Sequence, residues 1–342
     1  MKKKILIPAL ALVLVVGAVI GSKFVLWYID NKVPNFTEEA VLEVNQTPDS
    51  GLVLEYLAEN AGVKNIKSLE RAFRDKKVKE YIQPGRYIVK PSHSSVYVAR
   101  MLNNCWQTPT NLVLSGTIRT KESLIRKIGS QMMVSDEDLR RAFSDQELLS
   151  RYGVDTTSLF SLFIPDTYEM YWTASVEEIL QKMKDANDAF WTAENLQKAK
   201  ALGLTKEKVS ILASIVNGET NYEPEMPSVA GVYLNRLRIG MLLQADPTVA
   251  FCFNYEPNRI LNRHLEVDSP YNTYKYAGLP PGPISVPSKA CLNAVLNPDK
   301  HGYLYFCANS DFSGTHKFAT TYSEHLRNAR EFQTALNRRG TR

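Results

Sequence analysis

The N-terminal segment constrains this chain more than any other part. Lysines at positions 2–4 precede an uncharged apolar stretch, residues 5–22, and after one further lysine the apolar character resumes as FVLWYI. An uncharged stretch of this length can span the hydrocarbon core of a bilayer as a helix. Trp27 and Tyr28 stand where an interfacial aromatic belt would lie. We therefore predict a transmembrane anchor over residues 5–28.

A cleaved signal peptide is the alternative to an anchor, but no small-residue cleavage site precedes the aromatic end of the segment. The lysines at positions 2–4 are expected to stay in the cytoplasm. The chain would then be a single-pass protein of the cytoplasmic (inner) membrane, with everything after about residue 29 on its outer, periplasmic face.

The charge balance argues against nucleic acid as a partner. The chain has 342 residues and a net charge of +5, but Lys2, Lys3, Lys4 and Lys23 carry four of those charges, which leaves about +1 for the rest. No basic block interleaved with aromatic residues appears outside the short RRGTR tail. Hydrophobic residues make up 44% and charged residues 23% of the chain, as in an ordinary globular protein.

The four cysteines do not form a metal-binding pattern. No Cys-x-x-Cys pair occurs and no histidine lies at ligand spacing, so we predict no metal site, and nothing in the sequence calls for a cofactor. Disulfides are permitted outside the cytoplasm. Three of the cysteines fall in the last hundred residues, where one would be left over, which favours free thiols. The four are Cys105, Cys252, Cys291 and Cys307.

The remaining pattern predicts an α+β protein. Helical periodicity alternates with short β-rich pieces, and Pro84-Gly85 marks a turn before the strand-like RYIV. The predicted order is a cytoplasmic tail over 1–4, the anchor over 5–28, a linker over 29–49, a small α+β module over 50–105, a mostly helical connecting region over 106–205 and a mixed α/β domain over 206–342.

An apolar helix in the last domain ends on a single acid. With a start near Thr205, the side chains of Val209, Leu212, Val216 and Glu219 fall on one stripe. An acid on that stripe points toward the interior or toward a cleft in it. Burial disfavours the ionised carboxylate and raises its pKa, which suits a general acid near neutral pH.

A purely structural role for Glu219 is equally compatible with the pattern. The carboxylate could be a buried charge neutralised by Arg236 or Arg238 of the following helix. Two polar loops also follow: QADPT, beginning at Gln244, and SPYNTYKYAGLPPGPI, which contains Tyr271. Tyrosine faces stack on sugar rings and Asn, Gln and Thr bond to hydroxyls, but a polar loop with core tyrosines would look the same.

Longer motifs show a resemblance to a known family. The segments LASIVNGET, VAGVYLNRLRIGMLLQADPTV, SPYNTYKYAGLPPGPISVPS and YLYF, in order from about Leu212 to His325, resemble the YceG-like family of endolytic murein transglycosylases. FIPDTYEM is similar to an FPDTY element of that family. QPGRYIV is similar to the strand of its LysM-like module, which falls here in residues 50–105.

The resemblance implies a function and a set of site residues. The family cleaves the β-1,4 bond between N-acetylmuramic acid and N-acetylglucosamine inside nascent glycan strands at the outer face of the cytoplasmic membrane. Peptidoglycan strands would be the substrate, and cell-wall synthases at the membrane would be candidate partners. Glu219 matches the catalytic acid. Independently of the resemblance, the position of Gly218 in the last turn of the helix suggests that it leaves space for the glycan beside the acid. The positions expected to line the substrate groove are Gln244, Asp246, Tyr271, Asn272 and Thr273.

The chain departs from the family pattern in three places. Asn217 stands where many members have a second Glu, Phe160-Ser161-Leu162 replaces a Glu-Gly-Tyr, and an EGxT-like stretch is SGTI at 115–118. These changes affect residues expected to surround the acid rather than the acid itself.

Three mechanisms remain open from the sequence. In a lytic transglycosylase the sugar's own C6 hydroxyl attacks C1 and a 1,6-anhydro end results, so one acid is enough. A two-carboxylate muramidase would pair Glu219 with Asp246, Glu223 or Glu225. A non-catalytic scaffold would only bind glycan and position synthases.

Overall fold

The computed structural model describes residues 2–340, with side chains from Leu10 onward. The chain forms two compact units. The smaller comprises residues 1–111 with 169–174, and the larger comprises residues 112–168 with 175–342. Mixed helices and short strands in both units confirm the α+β class.

The smaller unit pairs one antiparallel ribbon with several helices. Strands β1 and β2 pair over five residues, from Ala40 opposite Val89 to Val44 opposite Gly85. Strand β1 therefore lies inside the range that the sequence analysis assigns to a linker. The elements of this unit, in order, are α1 (Lys2–Lys32), β1 (Ala40–Val44), α2 (Ser50–Asn60), α3 (Ile66–Asp75), α4 (Val78–Tyr81), β2 (Gly85–Val89) and α5 (Ser95–Asn103).

Helix α1 is long and apolar enough to cross a membrane. The most apolar stretch of Leu10–Lys32 has a mean hydropathy of 2.3, and none of its residues is buried. Its large apolar side chains, among them Leu14, Ile20 and Phe24, are exposed.

The last turn of α1 is tied to α3 by a buried polar cluster. Arg71 donates from Nη2 to Asp30 Oδ1 at 2.6 Å and from Nε to Asp30 Oδ2 at 3.0 Å. Ser68 donates to Asp30 Oδ1 at 2.5 Å and its hydroxyl lies 2.9 Å from that of Ser95 on α5. Asp30 is only 7% exposed, so the end of α1 is fixed to the body of this unit by a satisfied charge.

The larger unit is mostly helical. The chain passes between the units within β3 (Thr110–Val113), within β4 (Thr167–Met170) and again between residues 174 and 175. The remaining elements are α6 (Lys121–Gly129), α7 (Asp136–Ala142), α8 (Gln146–Arg151), α9 (Val176–Phe190), α10 (Ala193–Ala201), α11 (Lys206–Glu219), α12 (Met226–Arg238), α13 (Asp246–Cys252), α14 (Lys289–Leu296), β5 (Tyr305–Ala308), β6 (His316–Ala319) and α15 (Tyr322–Arg338), with 3₁₀ turns at Leu159–Leu162, Glu223–Glu225 and Asn262–Glu266.

Helix α11 is the centre of the core of the larger unit. The Thr205 hydroxyl accepts from Lys208 N and caps the helix, which confirms the predicted start. Val209, Leu212 and Val216 are fully buried, and α11 packs against α12, α13 and α14. This packing places the C-terminal end of α11, and with it Glu219, beside the loops that follow α12.

All four cysteines are free thiols. Cys291 is buried, Cys252 and Cys307 are partly buried, and Cys105 is exposed.

We expect the Asp30 cluster to contribute strongly to the stability of the smaller unit. Arg71→Ala leaves a buried carboxylate without its cation, which costs about 3–5 kcal/mol in buried ion pairs. Arg74 on the same helix is a matched control, because its pair with Asp75 is 70% and 63% exposed and such pairs contribute about 0–1 kcal/mol. Thermal unfolding of the detergent-solubilised chain measures both, and equal effects of the two variants would contradict the assignment.

Candidate active site

Glu219 is the last residue of α11 and faces a cleft. The helix continues to this residue and ends at Thr220, whose extended backbone still donates to Val216 O at 3.2 Å. The predicted apolar stripe is the buried face of α11, and the carboxylate emerges from its end half-buried. The acid is therefore held by a rigid element rather than by a loop.

Tyr233 of α12 holds the carboxylate. Its hydroxyl donates to Glu219 Oε1 at 2.6 Å, and the ring is only 2% exposed. Phe306 of β5 packs edge-on against that ring, with centroids 5.9 Å apart. Both torsions of the tyrosine are fixed by this packing, so one carboxylate oxygen is held in place.

The surroundings raise the pKa of Glu219 to about 7. Burial is the largest cause and disfavours the ionised form, while the hydrogen bond from Tyr233 acts in the opposite direction. Asp246 raises the pKa further by repulsion and Arg236 lowers it by attraction. The acid is thus about half protonated near neutral pH, where an ordinary glutamate is ionised.

The two arginines of α12 do not form an ion pair with Glu219. Arg236, 7% exposed, donates to the carbonyl oxygens of Leu304 and Leu243, each at 2.6 Å. Arg238 is exposed and donates to Asn235 Oδ1 at 3.1 Å. The interpretation of Glu219 as one half of a salt bridge is therefore wrong. Arg236 instead joins α12 to the two loops that border the cleft.

The cleft in front of Glu219 has a volume of about 290 Å³. Its walls come from α11, α12, the loop into α13, the 271–274 loop, β5 and α15. The residues that line it are Glu219, Tyr233, Arg236, Leu243, Gln244, Asp246, Tyr274, Tyr305, Phe306, Tyr322 and His325. Carboxylates, aromatic rings and amides in one open groove form a surface suited to a polyhydroxylated chain rather than to an apolar ligand.

Two of the five predicted groove residues lie in this cleft with Glu219. Gln244 is exposed at its rim and has a positive φ of 50°, a strained conformation for a non-glycine residue. Its backbone N–H donates to Thr273 O at 3.1 Å, which helps to hold that conformation. Asp246 begins α13, and Tyr274 donates to its Oδ1 at 2.6 Å.

The other three predicted groove residues lie elsewhere. Asn272 is fully buried and donates to the carbonyls of Leu265 and Val267, each at 2.8 Å. Thr273, 2% exposed, accepts from Ala245 N at 3.0 Å and so fixes the start of α13. These two residues shape the loop and do not face the Glu219 cleft, whereas Tyr271 lines a separate cleft.

The cleft contains residues that the sequence analysis did not select. Tyr274 belongs to the same YNTY motif as Tyr271 and is the member that faces Glu219. Tyr305, Tyr322 and His325 form an aromatic wall, in which the His325 ring stacks on Tyr305 at 5.4 Å. Burial, assisted by the charge of Arg236, lowers the pKa of His325, so its ring is neutral near pH 7. Only their position near the end of the matching segments could have indicated them.

Gly218 accommodates protein rather than ligand. A Cβ at this position would lie 2.6 Å from Pro247 Cβ and 2.8 Å from Pro247 Cγ. The expectation that Gly218 leaves space for a glycan is therefore wrong, because Pro247 of α13 occupies that space. The glycine lets α13 approach α11 closely and brings Asp246 to the cleft.

The second carboxylates considered from the sequence also differ in position. Asp246 lines the cleft, Glu223 is exposed outside it, and Glu225 is buried and accepts from His316 N at 2.6 Å and His316 Nδ1 at 2.8 Å. Within residues 2–340, no group of three His, Cys, Asp or Glu side chains is arranged to hold a metal ion.

The fold belongs to a known class of proteins. The model of the YceG-like family matches residues 42–331, so the chain belongs to the YceG-like family. A crystal structure of a YceG-like protein from Listeria monocytogenes superposes with a TM-score of 0.57 and 25% identity, covering 85% of this chain and 98% of that one.

Curated relatives carry a more specific name. The endolytic murein transglycosylase of Bacillus subtilis (strain 168) is 31% identical over 221 residues, 64% of this chain and 60% of that protein. The endolytic murein transglycosylase of Streptococcus pneumoniae serotype 2 is 26% identical over 221 residues, 62% of this chain and 39% of that protein. The matching part thus spans less than two thirds of each relative.

We expect Glu219→Gln to change the pH dependence of stability. Between about pH 4.5 and 7 the folded chain keeps Glu219 protonated, whereas the unfolded chain has already released that proton. The free energy of unfolding therefore falls as the pH rises through this window. Glutamine keeps the bond from Tyr233 but does not titrate. The free energy of unfolding of the variant, relative to that of wild type, should therefore rise by about 1–3 kcal/mol between pH 5 and pH 8 and change little above pH 8.

Chemical unfolding at several pH values measures this difference. Glu223→Gln is the matched control, since this acid is exposed outside the cleft, and it should show no such trend. A constant difference between Glu219→Gln and wild type from pH 5 to 8 would mean that the pKa of Glu219 is not raised.

We expect Gly218→Ala to disturb the approach of α13 to α11. The steric conflict with Pro247 should cost about 1–3 kcal/mol, offset in part by about 1 kcal/mol of better helix propensity. Gly302→Ala is a suitable control, because its Cβ would meet only Thr320 Cγ2 at 3.9 Å. Thermal unfolding compares the two, and a fully stable Gly218→Ala chain would refute the close approach.

Proposed function

We propose that this chain is a membrane-anchored endolytic peptidoglycan transglycosylase. It cleaves the β-1,4 bond between N-acetylmuramic acid and N-acetylglucosamine within nascent glycan strands and leaves 1,6-anhydro-muramic ends, which terminates or trims strand growth. The observation that carries the proposal is Glu219, an acid whose pKa is raised to about 7 in an open cleft lined by aromatic rings. Membership of the YceG-like family and the names of the two relatives support it.

Glu219 acts as both acid and base in the proposed reaction. Its proton goes to the glycosidic oxygen, the bond from that oxygen to the muramic C1 breaks, and positive charge develops at C1. The C6 hydroxyl oxygen of the same sugar then bonds to C1 and returns its proton to the Glu219 carboxylate. No water is consumed, and the proximity of the C6 hydroxyl supplies much of the rate.

The other residues of the cleft position the acid and the sugar. Tyr233 holds one oxygen of Glu219 and stabilises the carboxylate after proton transfer. Asp246, held by Tyr274, stays beside the developing positive charge. The aromatic wall of Tyr305, Tyr322 and His325 offers faces against which sugar rings stack.

Helix α1 would anchor the protein in the cytoplasmic membrane, with both units on its outer face. The end of α1 is bonded to the smaller unit, which would hold that unit next to the membrane. Glycan strands are extended at the same outer face. The smaller unit would serve as a LysM-like module that holds the strand, and synthases at the membrane would supply it.

A two-carboxylate muramidase is the second candidate function, because Asp246 lies in the cleft with Glu219. In that mechanism Asp246 would act as nucleophile or activate a water, and the new ends would be reducing ends. A scaffold without catalysis would leave the raised pKa of Glu219 without a role.

The mass of the products separates these candidates. Purified glycan strands treated with the detergent-solubilised chain should yield ends lighter by one water than hydrolytic reducing ends. Glu219→Gln should lower the rate by about a hundredfold to ten-thousandfold, the range that general acid catalysis contributes. Glu223→Gln should cleave like wild type. If all of the new ends were reducing ends, the chain would be a muramidase. If Glu219→Gln cleaved as fast as wild type, Glu219 would not be the catalytic acid.

A further inference from the structure

A second cleft of about 690 Å³ lies in the larger unit, apart from the Glu219 cleft. Phe160, Phe251 and Tyr271 supply aromatic surface to it, and Arg119 and Lys121 supply positive charge. Tyr271 and Phe251 pack with ring centroids 4.6 Å apart. The proposed reaction assigns no role to this cleft.

Two elements of the chain connect the two clefts. Helix α13 begins with Asp246 in the Glu219 cleft and presents Phe251 to the second cleft, five residues or about 7.5 Å further along the helix. The loop at 271–274 does the same, with Tyr274 in the first cleft and Tyr271 in the second. Three residues of chain span at most about 11 Å. The second cleft is thus a direct neighbour of the first.

The connection between the clefts is rigid. Thr273 accepts from Ala245 N at 3.0 Å and its hydroxyl lies 2.9 Å from that of Thr248, so the loop is bonded to the first turns of α13. The buried amide of Asn272 holds the other side of the loop. Asn272 and Thr273 therefore fix the spacing between Tyr271 and Tyr274.

The cations of the second cleft are available to a ligand. Within residues 2–340, neither Arg119 nor Lys121 forms an ion pair; the Arg119 guanidinium lies 5.2 Å from the centroid of the Tyr255 ring. Glu122 is the acid among the residues that line the cleft, and it accepts from Arg140 at 3.0 Å.

Asp155 is a further acid that acts on Lys121. Its Oδ1 accepts from the backbone N–H groups of Thr157 and Ser158, at 2.8 and 2.7 Å. These bonds keep Asp155 ionised and fix its position. The residues that line the cleft itself include two cations, Arg119 and Lys121, and one acid, Glu122, which is paired with Arg140, so the lining is more positive than negative.

The Pro/Gly turn closes one side of the second cleft. A Cβ at Gly282 would lie 2.4 Å from the carbonyl oxygen of Thr157, so the turn approaches Thr157 as only glycine allows. Thr157 and the adjacent Pro283 both line the cleft. This side of the cleft is therefore built by a close contact between two backbone segments.

We propose that the second cleft binds the peptide stem of the glycan strand that occupies the Glu219 cleft, with Arg119 and Lys121 bound to stem carboxylates. The inference rests on the proposed function, because it takes the same strand as ligand. Muramyl residues of peptidoglycan carry short peptides that end in a carboxylate. A strand in the first cleft presents such a peptide within reach of a neighbouring cationic cleft, and guanidinium and ammonium groups bind carboxylates by charge-assisted hydrogen bonds.

Binding to two forms of one substrate tests the proposal. The probes are glycan strands with their stems and the same strands after an amidase has removed the stems. The full chain carries Glu219→Gln so that binding is measured without cleavage. Arg119→Ala with Lys121→Ala should weaken binding to stem-bearing strands by about tenfold or more, the effect of losing charged hydrogen bonds, and should leave binding to stem-free strands unchanged.

The controls separate a binding role from a structural one. Arg126→Ala removes an exposed cation of α6 outside the cleft and should bind both strands like the parent. Arg119→Lys with Lys121→Arg keeps both charges and should restore most of the preference for stems. Equal loss on both strands, or no loss on either, overturns the proposal.

The outcome is separable from that of the proposed function. If the chain with Glu219 intact cleaves neither strand, the proposed function fails, while the binding comparison still decides the role of the second cleft. If it cleaves both strands but the double variant shows no stem-dependent loss in binding, the proposed function stands and the stem site does not.

Discussion

The hydrogen bond from Tyr233 to Glu219 joins the two central helices of the larger unit at the point where the chemistry is proposed. Burial favours the protonated acid, and the tyrosine, 2.6 Å away, favours the carboxylate. Neither effect alone leaves the group able to give and take a proton near neutral pH. A fully buried acid without the tyrosine would not ionise easily, and an exposed one would not stay protonated.

The rest of the larger unit keeps that pair in its environment. Arg236 donates hydrogen bonds to the carbonyls of Leu243 and Leu304 rather than to the acid. It therefore holds the two bordering loops and forms no ion pair with Glu219. Gly218 allows Pro247 to approach, which brings Asp246 to the cleft. The environment of the single acid in the proposed mechanism thus depends on contacts made within the protein.

Sequence patterns predict the parts that depend on local periodicity. The spacing of Val209, Leu212 and Val216 correctly predicts helix α11 and the face from which Glu219 emerges, because burial follows the turn of the helix. It does not separate Asn272 and Thr273 from Tyr274, since their directions are set by hydrogen bonds to distant carbonyls and to α13. Local patterns do not reveal strand β1 within the predicted linker, because its partner, β2, follows some forty residues later. The aromatic wall on β5 and α15 is indicated only by its position near the end of the matching segments, because its residues come together through the tertiary fold.

The titration of Glu219 tests the central claim most directly. With ¹³C-labelled glutamate, the carboxyl resonance that disappears in Glu219→Gln belongs to this residue, and its shift can be followed against pH in the detergent-solubilised chain. We expect a midpoint near 7, and it should move upward in Tyr233→Phe because the hydrogen bond that stabilises the carboxylate is lost. A midpoint near 4.5, the ordinary value for glutamate, would contradict it.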